Sequence, residues 1–275
     1  MGKNMLRYVI LWLEKAQAKK EVETLSVHLK ENGVSLMTEK EISPLSLEEV
    51  LWIVDRQDRG LALLQQHCSV IHLLSEKNAF SNIPYAIESL EAAEYSYLER
   101  IYRRYHEIPW EIVETKRCRV REIQVEDVDR LYEIYQDPSI TAYMEGLFED
   151  PKEEREHTKS YIQNAYGFWG FGTWVIVWKE TNQVIGRAGF NLRDGFEEPE
   201  LGYVLDVNFQ KQGIAFEVCE ALLEVGKADY AFSLVQALSV EGNLSSQKLL
   251  EKLGFWLEEK ITIENQEYCR YLKKL

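Results

Sequence analysis

The stretch Gln210-Lys211-Gln212-Gly213-Ile214-Ala215 places one glycine between an apolar run that reads as a strand and another that reads as a helix. The first turn of a helix presents backbone N–H groups that lack intrahelical acceptors, and the aligned peptide dipoles put partial positive charge there. The chemistry that such a turn offers is therefore anion binding. Gly213 has no Cβ and lets a ligand approach the backbone closely. The N–H groups of Gln212, Gly213, Ile214 and Ala215 can converge into a nest for two neighbouring phosphates, with Lys211 adding charge at the rim. Taken alone, the same spacing also describes any strand–turn–helix, so the elements on either side have to decide.

Upstream of the turn, "ELGYVLDV" reads as a strand from Glu200 to Val207. Downstream, "GIAFEVCEALLEVGKADYAF" reads as a helix with Ile214, Val218, Leu222 and Val225 in step. A strand, "LVQALSV", follows, then a helix, "LSSQKLLEKLG", stopped by Gly254, and two closing strands. Earlier, "CRVREIQ" reads as a strand, and "VEDVDRLYEIYQD" and "EEREHTKSYIQNAYGF" as helices. "TWVIVWKETNQVIGRAGFNL" reads as a hairpin. Antiparallel strands followed by a parallel crossover make a mixed α+β sheet.

A different pattern precedes this one. A helix-like run, "EYSYLERIYRRYHEI", stops at Pro109, and the next strand-like segment begins around Cys118. The boundary is expected near Glu114, dividing the chain into 1–114 and 115–275. Leu6 to Asn32 reads as helix, with Leu6, Val9, Ile10, Leu13 and Ala16 and then Val22, Leu25 and Leu29 apolar, and Gly33 as its stop. The runs "VSLMTE", "VLWIVD" and "SVIHLL" follow, the last two flanking the helical "RGLALLQQHC". Strand, helix, strand at these lengths is a βαβ unit, so a small parallel, Rossmann-like α/β domain is expected. "VLWIVDRQDRG" resembles the haloacid dehalogenase group, whose nucleophile stands where Asp55 stands here. That group's second aspartate is replaced by Gln57, which favours a packing or recognition module over an active phosphatase.

The chain has 275 residues, 45% of them hydrophobic and 28% charged, ordinary proportions for globular domains. A net charge of −14 argues against nucleic acid as a partner and leans towards a cationic or neutral one. Cys68, Cys118, Cys219 and Cys269 form no CxxC pair and have no histidine at ligand spacing. They read as buried reduced thiols, no metal is expected, and the implied compartment is the cytoplasm. The apolar stretch from Tyr8 to Leu13 is too short to span a membrane.

Taken together, Glu200-Leu201-Gly202-Tyr203, the Gln210–Ala215 turn, Asn243-Leu244-Ser245-Ser246 and the ending from Glu251 to Phe255 resemble the GNAT acetyltransferase superfamily. The branch they resemble includes the ribosomal-protein N-terminal acetyltransferases. The turn matches the family's pyrophosphate signature, Gln/Arg-x-x-Gly-x-Gly/Ala, and the resemblance covers about Cys118 to Leu275. It implies acetyl-coenzyme A as cofactor, its diphosphate on residues 210–215. Its pantetheine arm would lie against Val204, Leu205 and Val207, between the two parallel strands.

The resemblance further implies acetyl transfer to a primary amine of a small molecule or of a peptide or protein N-terminus. Glu200 would be the base that removes the amine's proton, with Glu197 and Glu198 in reserve. A backbone N–H near Val204 or Leu205 would meet the thioester oxygen. The tyrosine acid of many relatives would fall near Leu250 and is absent here, which leaves Ser246 to protonate the thiolate or to cap its helix. Asn243 would be both N-cap and coenzyme contact. For the acceptor, the candidates are Phe168, Trp169 and Phe171 in the aromatic–glycine run, and Glu145 in the loop between the first two helices. The absent tyrosine leaves a second reading open, a degenerate module that senses acyl-coenzyme A.

Overall fold

A computed structural model of the chain describes residues 5–14, 17, 19–41, 47–74 and 80–275. The chain divides into two compact units between Trp110 and Glu111. Residues Glu111–Glu114 form the first strand of the second unit's sheet, so the division falls before Glu114 rather than at it.

The first unit contains β1 (Tyr8–Trp12), α1 (Lys19–Glu31), β2 (Ser35–Thr38), β3 (Val50–Val54), α2 (Gln57–Leu64), β4 (Ser69–Leu73), β5 (Ala86–Ile87) and α3 (Tyr95–Tyr105). Its strands are all parallel, in the order β2-β1-β3-β4-β5. The expected helix from Leu6 to Asn32 is instead a strand followed by a shorter helix, and Ala16 lies outside the described residues. Tyr-Val-Ile-Leu-Trp forms an interior strand paired on both sides, with Val9, Ile10 and Leu11 buried. A continuous apolar run fits a doubly covered parallel strand as well as a helix stripe, and periodicity does not separate them.

The second unit contains β6 (Glu111–Glu114), β7 (Cys118–Arg121), α4 (Val128–Tyr135), α5 (Pro138–Thr141), α6 (Pro151–Tyr161), β8 (Thr173–Trp178), β9 (Gln183–Asn191) and β10 (Glu200–Leu205). It continues with α7 (Ile214–Tyr230), β11 (Leu234–Val240), α8 (Leu244–Lys252), β12 (Trp256–Ile263) and β13 (Gln266–Lys274). The sheet order is β12-β13-β11-β10-β9-β8-β7-β6, and every pairing is antiparallel except β10 with β11. Helix α7 covers the face that carries Phe190, since a Cβ on Gly226 would stand 3.1 Å from that ring. Helix α4 covers the opposite face, where the Arg187 guanidinium lies 5.1 Å from the Tyr135 ring. Ile214, Val218, Cys219 and Leu222 are buried, so α7 is fixed by its apolar stripe and its N-terminus is held at one place on the sheet.

The end of β10 is anchored on its β9 side. The Asp206 N–H donates to Ile185 O at 2.8 Å, and the buried Asp206 carboxylate accepts from Asn208 N at 2.9 Å and from the Arg130 guanidinium. Arg130 Nε in turn donates to Val184 O at 3.0 Å. Strand β9 approaches β10 closely at Gly186, where an added Cβ would stand 2.1 Å from Val204 O and 2.9 Å from the Leu205 side chain. Gly186→Ala should therefore lower the unfolding free energy by about 1–3 kcal/mol in a urea melt, the usual cost of overpacking. Wild-type stability in that variant would contradict the close register of β9 and β10.

Candidate active site

The turn after β10 is built from short local bonds. Asp206 caps a single 3₁₀ turn, Val207–Phe209. The Gln210 side-chain amide then donates to Leu205 O at 3.0 Å, and that of Gln212 donates to Asn208 O at 2.8 Å. Lys211 and Gly213 both have positive φ, 58° and 76°. This left-handed geometry turns the backbone so that α7 starts with Gly213 as N-cap and with no side chain bonded to its first N–H groups. A Cβ on Gly213 would meet a single neighbour, Arg117 Nη2, at 3.8 Å, so the space in front of the helix start is open except along that guanidinium. The anion nest expected at Gln212, Gly213, Ile214 and Ala215 falls on this turn and on the first residues of α7.

Beside the turn, β10 and β11 part. Their register consists of one pair, Glu200 with Gln236, and Gln236 N donates to Pro199 O at 2.9 Å. From Leu201 to Leu205, β10 is paired to β9 alone. The Val204 and Leu205 side chains are buried, so what they offer to a molecule in the fork is backbone. Val207 departs from expectation. It lies beyond the end of β10, exposed in the 3₁₀ turn, because Asp206 bends the chain away from the strand.

At the fork sits Glu200, its side chain 14% exposed. Arg193 Nε donates to Glu200 Oε2 at 2.6 Å, and Arg193 Nη2 lies 3.4 Å from Oε1. This bond raises the pKa of Arg193 against the opposing effect of burial, and the charges of Glu200, Tyr268 and Glu145 push the same way. Arg270 forms a second node, donating to Gln236 Oε1 at 2.9 Å, Glu198 Oε2 at 2.8 Å and Glu259 Oε1 at 2.8 Å. Glu197 is exposed. An open cleft of about 450 Å³ lies beside Arg193, lined by Leu192, Asp194, Phe196, Ile263 and Glu264.

Opposite, Asn243 caps α8, its Oδ1 accepting from Ser246 N at 3.1 Å. Ser246 Oγ lies 2.9 Å from the Tyr203 hydroxyl. Tyr203 was not singled out in the sequence. The available signal was its polar tip on a strand facing a helix, since a buried phenol needs a partner. Burial raises the pKa of Tyr203, so its hydroxyl stays protonated and able to donate. Leu250, near which the resemblance implied a tyrosine acid, is fully buried.

The aromatic run divides. Phe168 and Trp169 are 78% and 52% exposed and meet edge to face. Phe171 is corrected from the acceptor set: it is buried among Tyr230 and Phe232, at ring-centroid distances of 5.4 and 5.2 Å, and fills core rather than a pocket. The four cysteines are free and buried, and burial pushes the Cys118 thiol up to about 11. Among the described residues no cluster of metal-ligating side chains occurs, and no helix is long and apolar enough to cross a membrane.

The second unit is thus a mixed sheet whose two parallel strands part after one register pair, with a glycine turn leading from the first of them into α7. Residues 117–256, half of the chain, match the acetyltransferase (GNAT) domain family. An uncharacterized N-acetyltransferase, p20, of Bacillus licheniformis is 32% identical over 151 residues, 54% of this chain and 84% of its own. The ribosomal-protein-S5-alanine acetyltransferase structure from Vibrio fischeri superposes with a TM-score of 0.52 at 17% identity, covering 61% of this chain and 96% of that one. A ribosomal-protein α-N-acetyltransferase solved in complex with coenzyme A superposes at 0.50, with 17% identity and 60% and 98% coverage. The chain belongs to the GNAT acetyltransferase family and is an N-acetyltransferase, an acyltransferase whose family uses acetyl-coenzyme A.

Gly213→Ala should separate binding from folding. A methyl group at positive φ costs about 1–2 kcal/mol of stability, and it also stands where a phosphate would sit. Calorimetric titration should show acetyl-coenzyme A affinity falling by at least about tenfold. Wild-type affinity in a folded variant would remove the turn from the coenzyme site.

Proposed function

We propose that the second unit, residues 111–275, transfers an acetyl group from acetyl-coenzyme A to a primary amine of a small molecule or of a peptide or protein N-terminus. The observation that carries this reading is the single-pair fork between β10 and β11, with a carboxylate at one end and an open anion nest at the other. Acetyl-coenzyme A, when bound, supplies the thioester carbonyl that an amine attacks and the thiolate that leaves. Gln210, Lys211, Gln212, Gly213, Ile214 and Ala215 hold the diphosphate, and Asn243 adds a contact from the start of α8. The backbone of Val204 and Leu205 meets the pantetheine amides and the carbonyl oxygen, where a preorganised donor is worth most.

Amines arrive mostly protonated, since their pKa values are about 8 for an α-amine and about 10.4 for a lysine-type amine. Glu200 attracts the ammonium group and takes its proton, directly or through water. Glu145 and Glu198 add negative charge at the acceptor side, and the exposed Phe168 and Trp169 give it an apolar wall. Ser246, hydrogen-bonded to the protonated Tyr203, holds a proton near the sulfur.

One observation favours the second reading, an acyl-coenzyme A sensor. Arg193 already occupies both oxygens of Glu200, so an incoming ammonium has to share or displace it. For the first unit the supported role is recognition or packing, not haloacid-dehalogenase-like phosphatase chemistry. Both Asp55 carboxylate oxygens accept from the Glu14 N–H, at 3.0 and 2.8 Å, and Gln57 Oε1 accepts from Asn82 N at 3.0 Å.

Glu200→Gln keeps the shape and removes the charge. Coenzyme affinity should persist while turnover falls by roughly 10²–10⁴. The deficit should narrow as pH rises from about 6 to 9, because more of the amine is then already neutral. Unchanged turnover across that range would make Glu200 structural, and no turnover by the wild type with any amine, despite tight coenzyme binding, would favour the sensor.

A further inference from the structure

We propose that Arg117 is a phosphate-binding residue of the coenzyme site, held by Glu217 so that its outer guanidinium nitrogen meets the diphosphate at the start of α7. This rests on the reading that the 210–215 turn binds acetyl-coenzyme A.

Arg117 lies just before β7, about a hundred residues from the turn in sequence, yet its guanidinium is built into the turn's wall. Its main-chain N–H and its Nε donate to the two oxygens of Glu217, at 2.8 and 2.7 Å. Its Nη1 donates to Gln212 O at 3.0 Å. The Nε and Nη1 bonds orient the planar group, the main-chain bond holds Glu217 beside it, and Nη2 is left facing Gly213, 3.8 Å from where a Cβ would stand. Among the described residues Nη2 donates to no atom, and the side chain is 32% exposed. A guanidinium that keeps both Nη2 donors, preset beside an open helix start, matches phosphate oxygens in both charge and geometry.

The pairing with Glu217 explains a feature that is otherwise unfavourable. A carboxylate in the first turn of α7 suits the helix dipole but would repel a diphosphate. Both of its oxygens are taken by Arg117, so the charge is neutralised on the side away from the nest. Burial opposes ionisation of Glu217, but hydrogen bonds from Thr115 and Arg117 outweigh it and hold the carboxyl below its ordinary range. Arg117 therefore stays anchored at neutral pH. Lys211 is the other cation at the turn, exposed at its rim. With an overall charge of −14, a site for a multiply charged anion needs such local cations.

The test uses the full-length protein and three ligands: acetyl-coenzyme A, its 3′-dephospho form, and acetyl-pantetheine, which has no phosphate. Arg117→Ala, and the double variant Arg117→Gln with Glu217→Gln, are compared with wild type by calorimetric titration and thermal melting. The double variant retains hydrogen-bonding groups at both positions and removes both charges, so it guards against loss of folding. Both variants should raise the Kd of acetyl-coenzyme A and of the dephospho form by the same factor, roughly 10- to 100-fold, and leave acetyl-pantetheine unchanged. Wild-type affinity for acetyl-coenzyme A in the folded double variant would overturn the proposal. So would a defect that disappears with the dephospho form, because the contact would then be to the 3′-phosphate. Equal weakening of acetyl-pantetheine would mean that the effect is structural, which also overturns it. Failure of the wild type itself to bind acetyl-coenzyme A would instead sink the turn assignment on which this rests.

Discussion

The parting of β10 from β11 is the constraint on which the rest of the second unit depends. Adjacent parallel strands ordinarily share evenly spaced hydrogen bonds along their length. Here they share one register pair, Glu200 with Gln236, and then separate. A strand edge inside a sheet cannot be left without partners at low cost, so the gap demands either water or a molecule with its own amides. Side-chain bonds fix β10 at its far end and β11 at the one paired position. On one side, Arg130 and Ile185 tie Asp206 to α4 and β9. On the other, Arg270 ties the buried Gln236 to β12 and to the loop before β10. Once β10 is pulled towards β9, its end delivers the chain to the turn, and the buried stripe of α7 fixes where the open helix start points.

Charge differs between the two ends of β10. At the turn, the helix dipole, Lys211 and Arg117 gather positive potential within a protein of net charge −14. At the other end of β10, carboxylates from Glu198, Glu200 and Glu259 bind the two guanidiniums of Arg193 and Arg270. Each arginine there is engaged by acidic partners, so the patch as a whole retains negative charge.

Much of this was legible in the sequence because it is local. The glycine with positive φ, the Asn243 cap three residues before Ser246 and the stripe from Ile214 to Leu222 are each set by residues a few positions apart. What could not be read depends on contacts across the fold. Tyr203 finds Ser246 forty-three residues on, and Arg117 finds Glu217 a hundred residues on. Phe171 looked like its neighbours Phe168 and Trp169, but only the fold shows that it turns inward onto Tyr230 and Phe232. In the first unit, Tyr8–Trp12 was misread as helix for a related reason. An uninterrupted apolar run states that it is buried and does not state in what conformation.

The most direct test of the account is amide hydrogen exchange with and without acetyl-coenzyme A. Ligand in the fork should slow exchange in two segments, 201–205 of β10 and 212–216 at the start of α7, because both change from water-facing to ligand-bonded backbone. The parallel sheet of the first unit should exchange as before. Protection confined to the first unit, or none in either segment at a saturating ligand concentration, would contradict the claim that the parted strands and the glycine turn form the coenzyme site.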